Sequence, residues 1–195
     1  AAAVYTRNLV YGAPITVTRN NIADGKARAI ICNSGIANTC NADGVEKAEL
    51  MCSLAAEATG LKSADFVVAS TGVIGQPINI EPIKNGLPEL VTGLSVNGSS
   101  NAAEAIMTND TVKKEFAVEF NLGGKICKIG AISKGSGMIH PNMATMLCFI
   151  TTDANIESKM LKSALLDVVD DSFNMLSVDG DTSTNDTVAL LASGK

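Results

Sequence analysis

With 195 residues, 46% of them apolar and 4% aromatic, the chain can fill one substantial core or two small lobes, using Ala, Val, Ile, Leu and Met in the absence of Trp. Twenty acidic residues against fifteen basic ones give a net charge of -5 with the cations scattered, which argues against a nucleic-acid partner, as does the lack of an aromatic stacking platform. No apolar run approaches the length of a bilayer span, and the opening "AAAVYTRNLVYG" lacks the charged start and apolar centre of a signal peptide, so a cytoplasmic location is expected.

In chain order, "YTRNLV" and "APITVTRN" read as extended pieces separated by Gly12, and "ARAIICNSG" reads as a buried strand running into a turn. Asp43 with Glu46 suggests a capping box. A helix follows, with Ala48, Met51, Cys52, Ala55 and Ala58 on one face and Gly60 at its end. Phe66 to Ser70 predicts a short strand stopping at "TGVIGQP", and weaker helical spacing covers 81–94 and 100–107. "EFAVEFNLGGKICKIGAIS" predicts a β-hairpin turning at Gly123-Gly124. Met146 to Thr151 reads as a strand. A helix is expected from Asn155, with Ile156, Met160, Leu161, Ala164, Leu165, Val168 and Val169 on one face, then the polar loop "DGDTSTND" and a last strand "TVALLAS". This mixed order predicts an α/β layered domain rather than a doubly wound sheet.

The five cysteines, Cys32, Cys40, Cys52, Cys127 and Cys148, are odd in number and irregular in spacing, which suits reduced, mostly buried thiols. Any imidazole chemistry must pass through His140, the lone histidine, which precedes a proline in a loop and reads as a surface or packing residue. Asp179, Asp181 and Asp186 offer oxygen ligands, but Thr184 and Leu190 stand where a calcium loop needs glycine and glutamate. A loop with local side-chain to backbone bonds is the plainer reading, and no metal is expected. The "KGSGM" glycines lack the strand-turn-helix setting of a phosphate cradle.

The stretch "KGSGMIHPNMATMLCFITTD" holds a further possibility. A threonine hydroxyl can attack the peptide carbonyl before it if a turn strains the bond and donors receive the oxyanion; the ester then hydrolyses. A cut at Ala144-Thr145 would leave Thr145 with a free α-amine, whose ordinary pKa of about 8 lets it serve as base beside its own hydroxyl. On spacing alone, a threonine that opens a strand remains the plainer reading.

Four motifs in order, "NSGIAN", "STGVIG", "KGSGMIHPNMATMLCFITTD" and "SVDGDTSTNDT", resemble the ornithine acetyltransferase family, the ArgJ-type bifunctional glutamate N-acetyltransferases, across nearly the whole chain. The resemblance implies a layered α/β sandwich with mixed sheet and N-terminal-nucleophile logic. It implies self-cleavage at Ala144-Thr145, so that residues 1–144 match the family's first chain and 145–195 the start of a truncated second. Thr145 would take acetyl from N-acetylornithine and pass it to glutamate in arginine biosynthesis. Thr71 and Gly72 would be the oxyanion pair, and Thr111, Lys134 and Thr145 would contact substrate. Asn109 and Lys113 depart from the family's pattern near Thr111. No cofactor is implied beyond acetyl-CoA as a possible co-substrate, and the partners expected are small amino acids within a heterotetramer or larger assembly of two chain types. Two alternatives stay open on the residues: an autoprocessing amidohydrolase or aminopeptidase using water as acceptor, and a non-catalytic α/β binding module.

Overall fold

The computed structural model describes residues 1–140 and 146–195. Its strands are β1 (Ala2–Tyr5), β2 (Ala29–Ile36), β3 (Phe66–Val73), β4 (Lys114–Leu122), β5 (Lys125–Lys134), β6 (Leu147–Thr152) and β7 (Thr187–Ala192). Its helices are α1 (Ala13–Asn21), α2 (Gly44–Thr59), α3 (Glu81–Thr92), α4 (Ser99–Ala105) and α5 (Ser158–Val169). Five strands form one sheet in the order β1-β7-β6-β5-β4, with β6 and β7 parallel and the other pairs antiparallel; β2 and β3 form a separate parallel pair.

Side-chain alternation along each strand builds the layers. Cys148, Val188 and Leu190 meet Leu161, Leu165 and Val169 of α5 on one face of the large sheet. Leu147, Phe149 and Ala189 point the other way and pack on Val67 and Ala69 of β3. The far side of the small sheet, Ile31, Phe66 and Val68, is covered by Val17 of α1 and by Ala48, Met51, Cys52, Ala55 and Ala56 of α2. The order is therefore helix, sheet, sheet, helix, the layered α/β architecture that the mixed pattern predicts.

Several local expectations are corrected. "APITVTRN" is the helix α1, not an extended piece: Pro14 sits at its first turn, where a missing N–H costs nothing, and Ile15, Val17 and Thr18 are buried. The β-branched residues hide that helix because packing, not propensity, forms it. Thr18 makes the reason plain: its hydroxyl donates to the Val68 carbonyl (2.7 Å) and accepts the Val68 N–H (2.8 Å). In α2 the Asp43 side chain makes no capping bond, and Ala56 rather than Ala58 is buried. β3 runs on through Thr71 and Gly72 to Val73. α5 starts at Ser158 rather than Asn155, and its buried stripe is Leu161, Leu165 and Val169, leaving Met160 and Val168 exposed. The hairpin at Gly123-Gly124 forms as expected, both glycines having positive φ. The cysteines are all free thiols: Cys52 and Cys148 are buried, Cys32 and Cys127 partly buried, and Cys40 exposed. Among the described residues no helix is long and apolar enough to cross a membrane.

The free edge of β3 positions the site. On a strand, successive residues turn their N–H and C=O groups to opposite edges, so one set pairs with β2 and the other needs different partners. The carbonyls of Phe66, Val68 and Ser70 form that second set and accept hydrogen bonds from Asn21 (2.9 Å), Thr18 (2.7 Å) and Asn185 (2.9 Å). Gly72 comes next in the same alternation.

Candidate functional site

A cleft of about 670 Å³ opens where the two sheets end together, within the size range of small-molecule sites. Its walls include Thr71 and Gly72 from β3, Thr108 and Asn109 after α4, Lys134 at the end of β5, and Asp179 and Asn185 from the loop before β7. Strand parity brings the key side chains together. Thr71 follows Val67 and Ala69, and Lys134 follows Ile132, on the faces that the two sheets turn toward each other.

Lys134 is 4% exposed. Its ammonium donates to the Thr71 hydroxyl oxygen (3.1 Å) and the Thr108 hydroxyl oxygen (2.8 Å). With its oxygen occupied as an acceptor, the Thr71 hydroxyl turns its own proton elsewhere, which is what a donor to a developing oxyanion requires. Burial presses the ammonium below the ordinary lysine range, and Asp110 is the chief charge opposing that shift. Gly72 has φ +128, and a Cβ there would lie 2.2 Å from the Gly35 carbonyl, so no other residue fits the turn. Cys32, nearby, is no nucleophile: burial pushes its thiol up to about 12.

Three carboxylates hold backbone amides at Gly135, Met138, Ile139 and Met146. Asp110 accepts the Gly135 N–H (2.7 Å) and pairs with Lys114 (2.6 Å). Burial opposes its ionisation, but these bonds keep its carboxyl below the usual range. Asp179 accepts the N–H groups of Met138 (2.7 Å) and Ile139 (2.9 Å). Asp186, fully buried, accepts the Met146 N–H (3.0 Å) on Oδ1. Its Oδ2 is buried without a hydrogen-bond partner among the described residues. Next to it Asn185 donates to the carbonyls of Ala37 (2.6 Å) and Ser70 (2.9 Å), and the Thr39 hydroxyl donates to its Oδ1 (2.6 Å). One dipeptide thus grips both the turn that carries Thr71 and the strand that begins after Thr145.

Of the residues the sequence singles out, Thr71, Gly72 and Lys134 converge on the cleft. Thr111 is exposed and outside the lining; Thr108, three residues earlier, is the threonine bonded to Lys134. Ala144 and Thr145 lie outside the described residues. His140 is exposed and does not line the cleft. Asp179 accepts the nearby Asp181 N–H, as the local-bonding reading of the loop expects, but its bond to Met138 and that of Asp186 to Met146 reach 41 and 40 residues along the chain; no group of three His, Cys, Asp or Glu among the described residues could hold a metal.

Burial pushes the Asp186 carboxyl up to about 7, against the pull of the Met146 amide, Ser183, Lys134 and Thr6. Below about pH 4 the folded and unfolded carboxyls are both protonated, and the protein has the full benefit of the raised value. Between about 4 and 7 only the unfolded carboxyl ionises, and up to about 4 kcal/mol of stability is lost. Asp186→Asn is therefore expected to raise the melting temperature relative to the parent at pH 8 and to leave it nearly unchanged at pH 4. Calorimetry at the two pH values checks this.

The ArgJ family model matches residues 1–195. The arginine biosynthesis bifunctional protein ArgJ of Symbiobacterium thermophilum is 50% identical over 195 residues, which are 100% of this chain and 48% of that protein. The Bacillus anthracis protein of the same name is 49% identical, with 99% and 48% covered. The chain thus spans about half the length of these relatives. Among solved structures, the Bacillus halodurans ArgJ protein matches with a TM-score of 0.66 and 38% identity over 75% of this chain and 76% of that one. The ornithine acetyltransferase of Mycobacterium tuberculosis, solved with ornithine, matches with a TM-score of 0.61 and 27% identity over 75% and 77%. A family pattern that extends over every residue, and a fold shared with two of its solved members, leave one conclusion: the chain belongs to the ArgJ family.

Proposed function

We propose that the polypeptide to which these 195 residues belong is an acetyltransferase of arginine biosynthesis that cuts itself at Ala144-Thr145 and then moves acetyl from N-acetylornithine to glutamate through an ester on Thr145. The relatives' names support the pathway, and the ornithine bound to the Mycobacterium tuberculosis neighbour supports the substrate class. The observation that carries the reading is the Lys134 to Thr71 bond at the cleft wall, together with the register that sets Lys134 opposite Leu147, two residues beyond Thr145.

The chemistry divides among this chain's residues. The Thr145 hydroxyl attacks the acetyl carbonyl while its α-amine takes the proton. The Thr71 hydroxyl, oriented by Lys134, and the Gly72 amide receive the oxyanion. Ornithine leaves, and glutamate takes the acetyl group in the reverse sequence. The remaining N–H of Lys134 offers a charged partner to a substrate carboxylate, with Thr108 beside it. The cycle needs no bound cofactor; acetyl-CoA would enter only as a second acetyl donor. The protein would work in the cytoplasm as an assembly of both chain types.

The test uses a chain of the relatives' length containing this sequence, given N-acetylornithine with and without glutamate. Ornithine release should depend on glutamate, and N-acetylglutamate should appear in equal amount. Release at the same rate without glutamate would make the protein a hydrolase.

A further inference from the structure

A buried cation that grips a substrate carboxylate must stay charged and yet stay unpaired. The two demands conflict, because a protein carboxylate close enough to favour the charge can also take the substrate's place. Lys134 is buried, and two of its three N–H groups go to the Thr71 and Thr108 hydroxyls; among the described residues its ammonium pairs with no carboxylate. We propose that Asp110 is the positioning residue of a carboxylate subsite at Lys134, fixing the backbone on both sides of the ammonium while Lys114 keeps it from closing onto that ammonium. The inference rests on the reading of Lys134 as the substrate's charged partner.

Asp110 joins the segment that carries the ammonium to the segment that holds it. Its Oδ1 accepts the N–H of Gly135, the residue after Lys134 (2.7 Å), and its Oδ2 accepts the N–H of Thr108 (3.3 Å), whose hydroxyl binds the ammonium. The Asp110 side chain is fully buried. The Lys114 ammonium, on a half-exposed side chain at the start of β4, holds the same Oδ1 at 2.6 Å. From the other side, the Ser34 hydroxyl of β2 donates to the Met107 carbonyl (2.7 Å) and anchors the turn that Asp110 closes. Both Asp110 oxygens are thus engaged by partners other than Lys134, and the remaining Lys134 N–H serves the cleft.

The charges follow the same plan. Burial pushes the Lys134 ammonium below the ordinary lysine range, and Asp110 is the largest pull the other way. Cys32 of β2 and Asp186 before β7 pull with Asp110, and Lys114 pushes against them. Burial holds the Cys32 thiol up at about 12, so it stays protonated through the working range and the two carboxyls carry the pull.

The experiment uses the family-length enzyme with two acetyl donors, N-acetylornithine and N-acetyl-1,4-diaminobutane, which is the same molecule without its carboxylate. The parent should favour N-acetylornithine about tenfold to a hundredfold in kcat/KM, the worth of one charged hydrogen bond. Its kcat/KM should fall at high pH as Lys134 loses its proton. Asp110→Asn should cut the preference about tenfold and start that fall about one pH unit earlier. Lys114→Met should also cut the preference, because it frees Asp110 to pair with Lys134, but it should start the fall later. A residue that only supports the fold lowers both donors alike and leaves the high-pH limb in place. An uncut preference or an unmoved limb in Asp110→Asn therefore overturns the proposal. If Asp110→Asn does not fold, a limb in Lys114→Met that stays put or starts earlier overturns it alone. A parent indifferent to the donor's carboxylate sinks the reading of Lys134 as its partner, and a parent that transfers acetyl from neither donor sinks the acetyltransferase reading; each takes this inference with it.

Discussion

Replacing Thr145 with alanine in the family-length chain is expected to leave a single uncut polypeptide with acetyl transfer at background, a loss on the order of a millionfold. The size follows from the economy of the design. One residue supplies the nucleophile and, once cut, the base, and among the described residues no histidine or cysteine lines the cleft to replace either. Thr145→Ser keeps a hydroxyl and an α-amine and should retain both cleavage and transfer at reduced rates. The paired readouts are intact mass and ornithine release. A Thr145→Ala protein that transfers acetyl at even a hundredth of the parent rate would return the chain to a binding module or a different nucleophile.

Thr71→Val should lower kcat by about 10² to 10³ while KM for N-acetylornithine changes little, because a lost oxyanion donor is missed in the transition state and hardly at all in the ground state. Thr71→Ser should recover most of the rate. Lys134 adds a sharper test. If it works largely by holding the Thr71 oxygen at 3.1 Å, the two residues act as a unit, and Lys134→Met added to Thr71→Val should cost little beyond Thr71→Val alone. The buried ammonium is opposed by its own desolvation, and its removal leaves Asp110 paired with Lys114 while taking from buried Asp186 the cation that acts on it. Steady-state kinetics on the two single variants and the double variant measure the coupling. Additive losses would separate Lys134 from the oxyanion turn and return it to a direct substrate contact.

Much of this was legible in the residues. The hairpin at Gly123-Gly124 and the helix closed by Gly60 follow from local rules, since positive φ and apolar period are written in short windows. α1 was not legible, because its Val, Ile and Thr residues favour strands in isolation. Burial of Ile15 and Val17 and the pairing of Thr18 with both polar groups of Val68, fifty residues away, make the helix worthwhile. Thr111 in place of Thr108 has a similar origin. Both lie in "MTNDT", and which of them faces Lys134 depends on how the segment leaves α4, something no local period encodes. A signal was nonetheless present. The tetrapeptide TNDT occurs twice, at 108–111 and 184–187. In both copies the aspartate is buried against a backbone amide at one end of the stretch from 135 to 146, Gly135 for Asp110 and Met146 for Asp186. Reading "DGDTSTND" as a loop with local bonds caught the chemistry of those side chains but not their reach, which spans 40 residues at Asp186 and 115 from Asn185 to Ser70.

The most direct measurement is the mass of the fragment that starts at residue 145 after the family-length protein meets N-acetylornithine with no acceptor present. The mass of one acetyl group should be added there, on the peptide whose first residue is Thr145, and hydroxylamine should release it as an ester would be released. An uncut chain, or an acetyl group found elsewhere or resistant to hydroxylamine, would contradict the account.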